Sequence, residues 1–316
     1  MTKKLNIVFM GTPDFAVGIL DHLINNEMNI VGVVTAPDRP AGRGRKLNTS
    51  AVKDYALAKN LPILQPTNLK SEDFLQQLAD LNADLQIVVA FRMLPKVVWD
   101  MPEYGTFNLH ASLLPAYRGA APINWAIING EKETGVTTFF LDDQIDTGQM
   151  ILQAKTAINS DETAGELHDR LMNIGKETVL DTVKLIAENR VTLEIQSDGE
   201  HPTAHKLNKE NCRINWGLPA EQVHNHIRGL SPYPAAWTFL ADDGNEWAVK
   251  IFQSSFEEVD HNYPNGKILT DNKKSIAVAT FDGFVHILSL QFPGKKRMET
   301  AAFLNGLKLS EDAYCK

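Results

Sequence analysis

Residues 5–14 read Leu-Asn-Ile-Val-Phe-Met-Gly-Thr-Pro-Asp, an apolar run that stops at a glycine and a proline. Most positions in the run are apolar rather than every second one, so the strand it predicts is covered on both faces. Phe15, Ile19, Leu20 and Leu23 then recur at helical spacing. Ile30-Val-Gly-Val-Val-Thr35 is again β-rich and apolar, and residues 84–91 (Asp-Leu-Gln-Ile-Val-Val-Ala-Phe) repeat the theme. Doubly buried strands alternating with helices predict an α/β domain with a mostly parallel sheet between helical layers. Gly105-Thr-Phe-Asn-Leu-His110 and Val136-Thr-Thr-Phe-Phe-Leu141 supply further strands. Residues 161–189 predict a long amphipathic helix, opened by Ser160-Asp-Glu as an N-cap followed by acids.

The first strand-turn-helix has the layout of a Rossmann-like fold. Gly11-Thr-Pro-Asp-Phe-Ala-Val-Gly18 nevertheless lacks GxGxxG, Pro13 occupies the tight turn, and there is no Walker motif. NAD and ATP are therefore poorly supported. The helix start after Gly11 either faces an anionic group or is simply a shaped turn. Beyond residue 190 the pattern changes. Residues 196–204 (Gln-Ser-Asp-Gly-Glu-His-Pro-Thr-Ala) read as a connecting segment, and 219–229 as one helix. Short β-like runs follow at 235–240, 246–254, 266–269, 274–280 and 283–290, which suits a small β-barrel, OB-like in type. The expected division is a first domain at 1–189, a linker at 190–206 and a barrel at 207–316.

At 316 residues, 43% hydrophobic and 22% charged, the chain suits two ordinary globular domains. No apolar run is long enough to span a membrane. The amino terminus lacks a cleavage-like site and reads as a buried strand, so a cytoplasmic protein is expected. Cys212 and Cys315 offer neither a disulfide framework nor a CxxC site. His201/His205 and His224/His226 lack a third ligand nearby, so no metal is expected. The net charge of −8 disfavours a nucleic-acid partner only if positive charge is nowhere concentrated. It is concentrated at residues 38–53, where Arg39, Arg43, Arg45, Lys46 and Lys53 stand against one aspartate, with Gly42 and Gly44 between them. This reads either as a solvated loop or as a phosphate-binding one.

The chemistry is densest between 108 and 124. Asn108 and His110 share a strand face, pairing a neutral donor with an imidazole, as an oxygen that gains negative charge would require. Asp146, in Leu141-Asp-Asp-Gln-Ile-Asp-Thr-Gly148, could be presented by a turn to orient that histidine and favour its charged form.

Gly11-Thr-Pro-Asp-Phe-Ala16, Pro37-Asp-Arg-Pro-Ala-Gly-Arg-Gly44, Asn108-Leu-His-Ala-Ser-Leu-Leu-Pro115, Tyr117-Arg-Gly-Ala-Ala-Pro-Ile123 and Asp142 with Asp146-Thr-Gly148 together resemble the methionyl-tRNA formyltransferase family. The likeness continues through Arg213-Ile-Asn-Trp216, Ile227-Arg-Gly-Leu-Ser-Pro-Tyr-Pro-Ala235 and Pro293-Gly-Lys-Lys-Arg-Met298, so it covers nearly the whole chain. The resemblance implies that 10-formyltetrahydrofolate donates a formyl group to the α-amine of methionyl-initiator tRNA. Asn108 and protonated His110 would hold the oxyanion, and Asp146 would keep His110 charged and assist proton transfer. No covalent nucleophile is needed, and GxSxG and a Cys-His pairing are absent.

The resemblance also implies a folate site at Ser112, Leu113, Leu114 and Pro115, although one of the two leucines could equally be plain core. Phe91, Arg92, Met93 and Leu94 would complete it. Here the chain departs from the family's Tyr-Gly and is one residue shorter, closer to glycinamide ribonucleotide formyltransferase. Arg39, Arg43, Arg45 and Lys46 would meet the tRNA acceptor stem, and Lys206, Lys295, Lys296 and Arg297 would add a second basic track, with Lys209 and Arg213 near the linker. A monomer is expected. The rival readings are formyl transfer to a small amine, hydrolysis of the folate, and an inactive folate- or tRNA-binding protein.

Overall fold

The opening run becomes β1 (Asn6–Gly11), followed by α1 (Asp14–Asn25) and β2 (Asn29–Val34). This is seen in a computed structural model that describes residues 4–41 and 46–316. Next come β3 (Arg39–Ala41), β4 (Lys46–Asn48), α2 (Ala51–Ala58), β5 (Ile63–Leu64), α3 (Glu72–Asp80) and β6 (Leu85–Val89). Then α4 (Lys96–Trp99), β7 (Thr106–His110), β8 (Arg118–Gly119), α5 (Pro122–Ile128), β9 (Glu133–Phe140), β10 (Met150–Ala157) and α6 (Ala164–Ala187) follow. The remainder is β11 (Thr203–Ala204), α7 (Ala220–Gly229), β12 (Ala236–Asp242), β13 (Asn245–Glu258), β14 (Ile268–Thr270), β15 (Ile276–Ala279), β16 (Gly283–Gln291), β17 (Met298–Glu299), α8 (Thr300–Gly306) and β18 (Tyr314–Cys315).

The chain packs into two compact units. One holds the residues up to Gly119, 134–156 and 168–202; the other holds 120–133, 157–167 and 203–316. The second unit therefore takes in two segments that precede the carboxy-terminal third of the chain.

In the first unit the sheet order is β10-β9-β7-β6-β1-β2-β5. β5, β2, β1, β6 and β7 run parallel, and β9 is antiparallel to β7. This is the mostly parallel Rossmann-like sheet that the apolar runs predict. Val8, Met10, Val34 and Val88 pack one face against Phe74 and Leu78 of α3 and Val98 of α4. α1 and α6 approach each other closely, since a Cβ on Gly18 would lie 2.5 Å from the Met172 sulfur. Gly11 is required for a similar reason: a Cβ there would fall 2.6 Å from Ala16 Cβ and 3.0 Å from the Val89 carbonyl oxygen. α6 begins at Ala164, later than the expected 161. The cap is a reciprocal pair between Thr163 and Glu166 rather than Ser160, with Thr163 N–H donating to Glu166 Oε2 at 2.9 Å and Glu166 N–H to Thr163 Oγ1 at 3.3 Å.

In the second unit the strands run β14-β15-β16-β13-β12-β18. Ile268 N–H donates to the Ala313 carbonyl at 3.2 Å and Cys315 N–H to the Gly266 carbonyl at 2.7 Å, joining the two ends into an antiparallel barrel. Closure removes the exposed strand edges. Val249, Ile251, Val278, Val285, Ile287 and Leu290 fill it, and Val223 and Ile227 of α7 pack on the same core. Among the described residues no helix is long and apolar enough to cross a membrane.

Candidate active site

The register places Gly11, Val89 and Leu109 side by side. The carboxyl ends of β1, β6 and β7 thus lie level where the strand order reverses, the place where open α/β sheets take ligands. At the end of β7 the pleat turns Leu109 towards α6, because a Cβ on Gly175 would come 2.8 Å from Leu109 Cδ2. Asn108 and His110 therefore share the opposite face, and the Asn108 side chain is only partly buried.

His110 is 6% exposed. Its Nε2 lies 2.8 Å from the Tyr117 carbonyl oxygen. A carbonyl can only accept, so Nε2 carries the proton and donates. Nδ1 is left facing Asp146, with Oδ2 at 3.8 Å. That is too long for a hydrogen bond and short enough for an ion pair. Asp146 Oδ2 accepts instead from Gly119 N–H at 3.0 Å.

Asp146 sits in the turn between β9 and β10 with φ +57°, and Tyr117 has φ +62°. Both are left-handed conformations that neighbours must hold. Thr147 Oγ1 donates to Asp142 Oδ1 at 2.8 Å, bracing the turn. Gly148 is obligatory, because a Cβ would fall 1.7 Å from the Phe140 carbonyl oxygen. Tyr117 and Gly119 act through backbone atoms, which leave no mark on side-chain patterning, although both fall within the Tyr117–Ile123 motif.

Segment 112–115 divides in two. Ser112 is fully buried and donates to the Ala116 carbonyl at 2.6 Å. Leu114 packs with Phe139 and Met150, so it is the leucine that belongs to the core. Its N–H donates to Thr137 Oγ1 at 3.1 Å, and its carbonyl accepts from Gln153 Nε2 at 2.9 Å. Leu113 and Pro115 keep part of their surface exposed, and the Leu114–Pro115 bond is cis.

Segment 91–94 follows Ala90, whose φ of +48° turns the chain away from β6. Phe91 and Leu94 pack on the α3/α4 side of the sheet, and Met93 is 66% exposed. The Arg92 guanidinium donates to the Pro66 and Thr67 carbonyls, the latter at 3.1 Å. Burial and the nearby Arg39 charge lower its pKa. The residues that depart from the family pattern thus tie this segment to the 66–67 loop.

Of the basic residues near 38–53, Arg39 is exposed. Arg43 and Arg45 lie outside the described residues, as does the side chain of Lys46. Lys53 is paired with Asp38, which also accepts from Gln65 Nε2 at 2.8 Å. Those bonds lower the Asp38 pKa. In the second unit Lys206, Lys295 and Lys296 are exposed. Arg297 donates to Ser289 Oγ at 2.8 Å and lies 4.8 Å from the Phe252 ring centroid. Arg213 lies over Trp237 and Phe239 at 5.7 and 5.4 Å.

The formyl transferase family profile matches residues 3–183, and that of the formyl transferase carboxy-terminal domain matches 206–308. A methionyl-tRNA formyltransferase of Flavobacterium johnsoniae is 61% identical over 98% of this chain and 99% of its own. That of Bacteroides thetaiotaomicron is 55% identical over 98% of each chain. Among solved structures, an N-formyltransferase from Helicobacter canadensis in complex with folinic acid and dTDP-3-aminofucose has a TM-score of 0.67 at 21% identity, covering 93% of this chain and all of its own. That similarity is one of fold. With both family profiles matched and relatives this similar along their full length, the chain belongs to the methionyl-tRNA formyltransferase family of formyl transferases.

Proposed function

We propose that this protein transfers the formyl group of 10-formyltetrahydrofolate to the α-amine of methionyl-initiator tRNA, giving N-formylmethionyl-tRNA and tetrahydrofolate. The observation that carries the reading is the 61% identity to a methionyl-tRNA formyltransferase across both units. The amine attacks the formyl carbon and the carbonyl π electrons move to oxygen. Asn108 and the Nδ1–H of protonated His110 stabilise that oxygen. Nδ1 is the nitrogen available for this, because Nε2–H already donates to Tyr117. Asp146 favours the imidazolium and takes up the amine proton through water. The tetrahedral intermediate collapses as the folate nitrogen leaves with a proton.

Leu113, Pro115, Met93 and the Phe91 ring edge would contact the folate by side chain, and Ser112, Leu114, Arg92 and Leu94 would shape the pocket from behind. Arg39, Arg43, Arg45 and Lys46 would meet the acceptor end of the tRNA, with Lys206, Lys295, Lys296 and Arg297 along its backbone. The catalytic domain is residues 1–189 and the tRNA-binding barrel is 207–316, joined by 190–206, with the basic residues of the first domain adding to the tRNA contacts. The protein acts as a cytoplasmic monomer without a metal.

Incubation with 10-formyltetrahydrofolate and methionyl-tRNA should yield formylmethionyl-tRNA. Formyl transfer only to a small amine, or release of formate alone, would overturn the reading. Loss of one oxyanion donor typically costs about 3 kcal/mol, roughly two orders of magnitude in rate. Asn108→Ala and His110→Ala should therefore lower kcat by about that factor with little change in KM for folate.

A further inference from the structure

We propose that Gln196 is a positioning residue for the Asp146 carboxylate. Gln196 lies in the stretch that reads as a linker, yet it is 6% exposed. Its Nε2 donates to the Asp146 and Gly148 carbonyls, each at 2.9 Å. Its Oε1 accepts from Arg118 Nε at 3.0 Å and from the Arg118 terminal nitrogen at 2.6 Å. An amide has two donor hydrogens and two acceptor lone pairs, so all its capacity is used. The partners also fix its orientation, since carbonyls only accept and a guanidinium only donates.

Those partners surround the reacting groups. Asp146 is held in a left-handed conformation, and Gln196 bonds its carbonyl directly. Arg118 lies between Tyr117, whose carbonyl accepts from His110, and Gly119, whose N–H donates to the Asp146 carboxylate. One side chain therefore ties the Asp146 turn to the strand that holds both His110 and Asp146. Its own segment is anchored by Met150 N–H to the Glu194 carbonyl at 2.8 Å and by the reciprocal bond at 3.0 Å. Gln196 reaches the chemistry through Asp146 and through Arg118 of β8, which lies between Tyr117 and Gly119.

No other residue type satisfies this set. In Gln196→Glu an oxygen would face two carbonyl oxygens. In Gln196→Met the volume is kept and all four bonds are lost.

The inference rests on the proposed role of Asp146, and the experiment separates the two. A wild-type protein that forms no formylmethionyl-tRNA would refute the functional reading. With an active wild type, Gln196→Met and Gln196→Glu should each lower kcat by about tenfold or more, leave both KM values within about twofold, and shift the kcat–pH profile. In an Asp146→Asn background Gln196→Met should cost clearly less than it does alone, because the carboxylate it positions is already lost. Thermal melts identify which variants fold. Near-wild-type kcat in either folded variant, an unmoved pH profile, or losses that multiply in the double variant would overturn the proposal. Should Gln196→Met not fold, the near-isosteric Gln196→Glu carries the same comparisons.

Discussion

His110 has a single nitrogen left for the proposed reaction, because the Tyr117 carbonyl fixes Nε2 as a donor. The 3.8 Å gap between Nδ1 and Asp146 leaves the other nitrogen turned towards a negative charge without being bonded to it. In the proposed mechanism that nitrogen is the one offered to the oxyanion. Replacing Asp146 by Asn keeps an acceptor for Gly119 N–H and removes the charge. Asp146→Asn should therefore lower kcat by about a hundredfold with near-normal substrate KM, as steady-state kinetics would show. Gly148→Ala acts at the same scale by another route. Its Cβ would overlap the Phe140 carbonyl, so the turn that presents Asp146 must move. Turnover should be lost while far-UV circular dichroism stays close to wild type. Asn108, His110 and Asp146 stood out in the sequence as candidates by residue type and motif. The backbone groups of Tyr117 and Gly119 that bond His110 and Asp146 did not, because any residue supplies the same atoms.

At the scale of elements, α7 shows where a correct boundary conceals the packing. Its span, Ala220–Gly229, agrees with the helix read at 219–229, yet His224, Asn225 and Arg228 are buried. Arg228 is 4% exposed and donates to Asn225 Oδ1 at 2.8 Å, to the Glu162 carbonyl at 2.9 Å and to the Asn159 carbonyl at 3.2 Å. Arg228→Met would remove a donor from the buried Asn225 side chain and from the Asn159 and Glu162 carbonyls. A loss of about 2–4 kcal/mol is expected, measurable as a lower urea midpoint. Burial lowers the pKa of both His224 and His226 below the ordinary 6.5, and the Arg228 charge adds to the effect at His224. The unfolded chain then takes up protons below 6.5 before the folded one does, so stability is full above that pH and declines as pH falls towards the depressed values. The melting temperature should drop between about pH 7.5 and pH 5.5, and a His224→Asn/His226→Asn variant should lose less over the same interval.

The whole molecule carries a net charge of −8, so a tRNA must be met by local positive charge. Lys206, Lys295 and Lys296 are exposed on the second unit. tRNA affinity should fall steeply with salt. A Lys295→Ala/Lys296→Ala variant should flatten the log–log slope by about 0.7–0.9 for each phosphate that is no longer neutralised. A slope identical to wild type in a filter-binding titration would remove these lysines from the interface. The division into units has a consequence of its own. α5 and residues 157–167 belong to the second unit, where Asn124 Nδ2 donates to the Gly229 carbonyl at 2.8 Å and Arg228 holds Asn159 and Glu162. A fragment ending at residue 189 keeps those segments and loses their partners. It should melt without cooperativity and bind ANS, whereas the full chain should not.

Apolar runs set the alternation of strands and helices, and hence the parallel sheet and the separate barrel, because burial of a strand face is written into consecutive residues. Spacing and motif nominated Asn108, His110 and Asp146 as candidates. Only the tertiary structure decided that Leu114 is core, that Arg92 ties its segment to the 66–67 loop, and that Lys53 is paired with Asp38. Only it placed Gln196 beneath Asp146, fifty residues away along the chain. Those outcomes depend on hydrogen bonds to backbone atoms and on packing between distant segments. Neither has a periodicity that a linear pattern can carry.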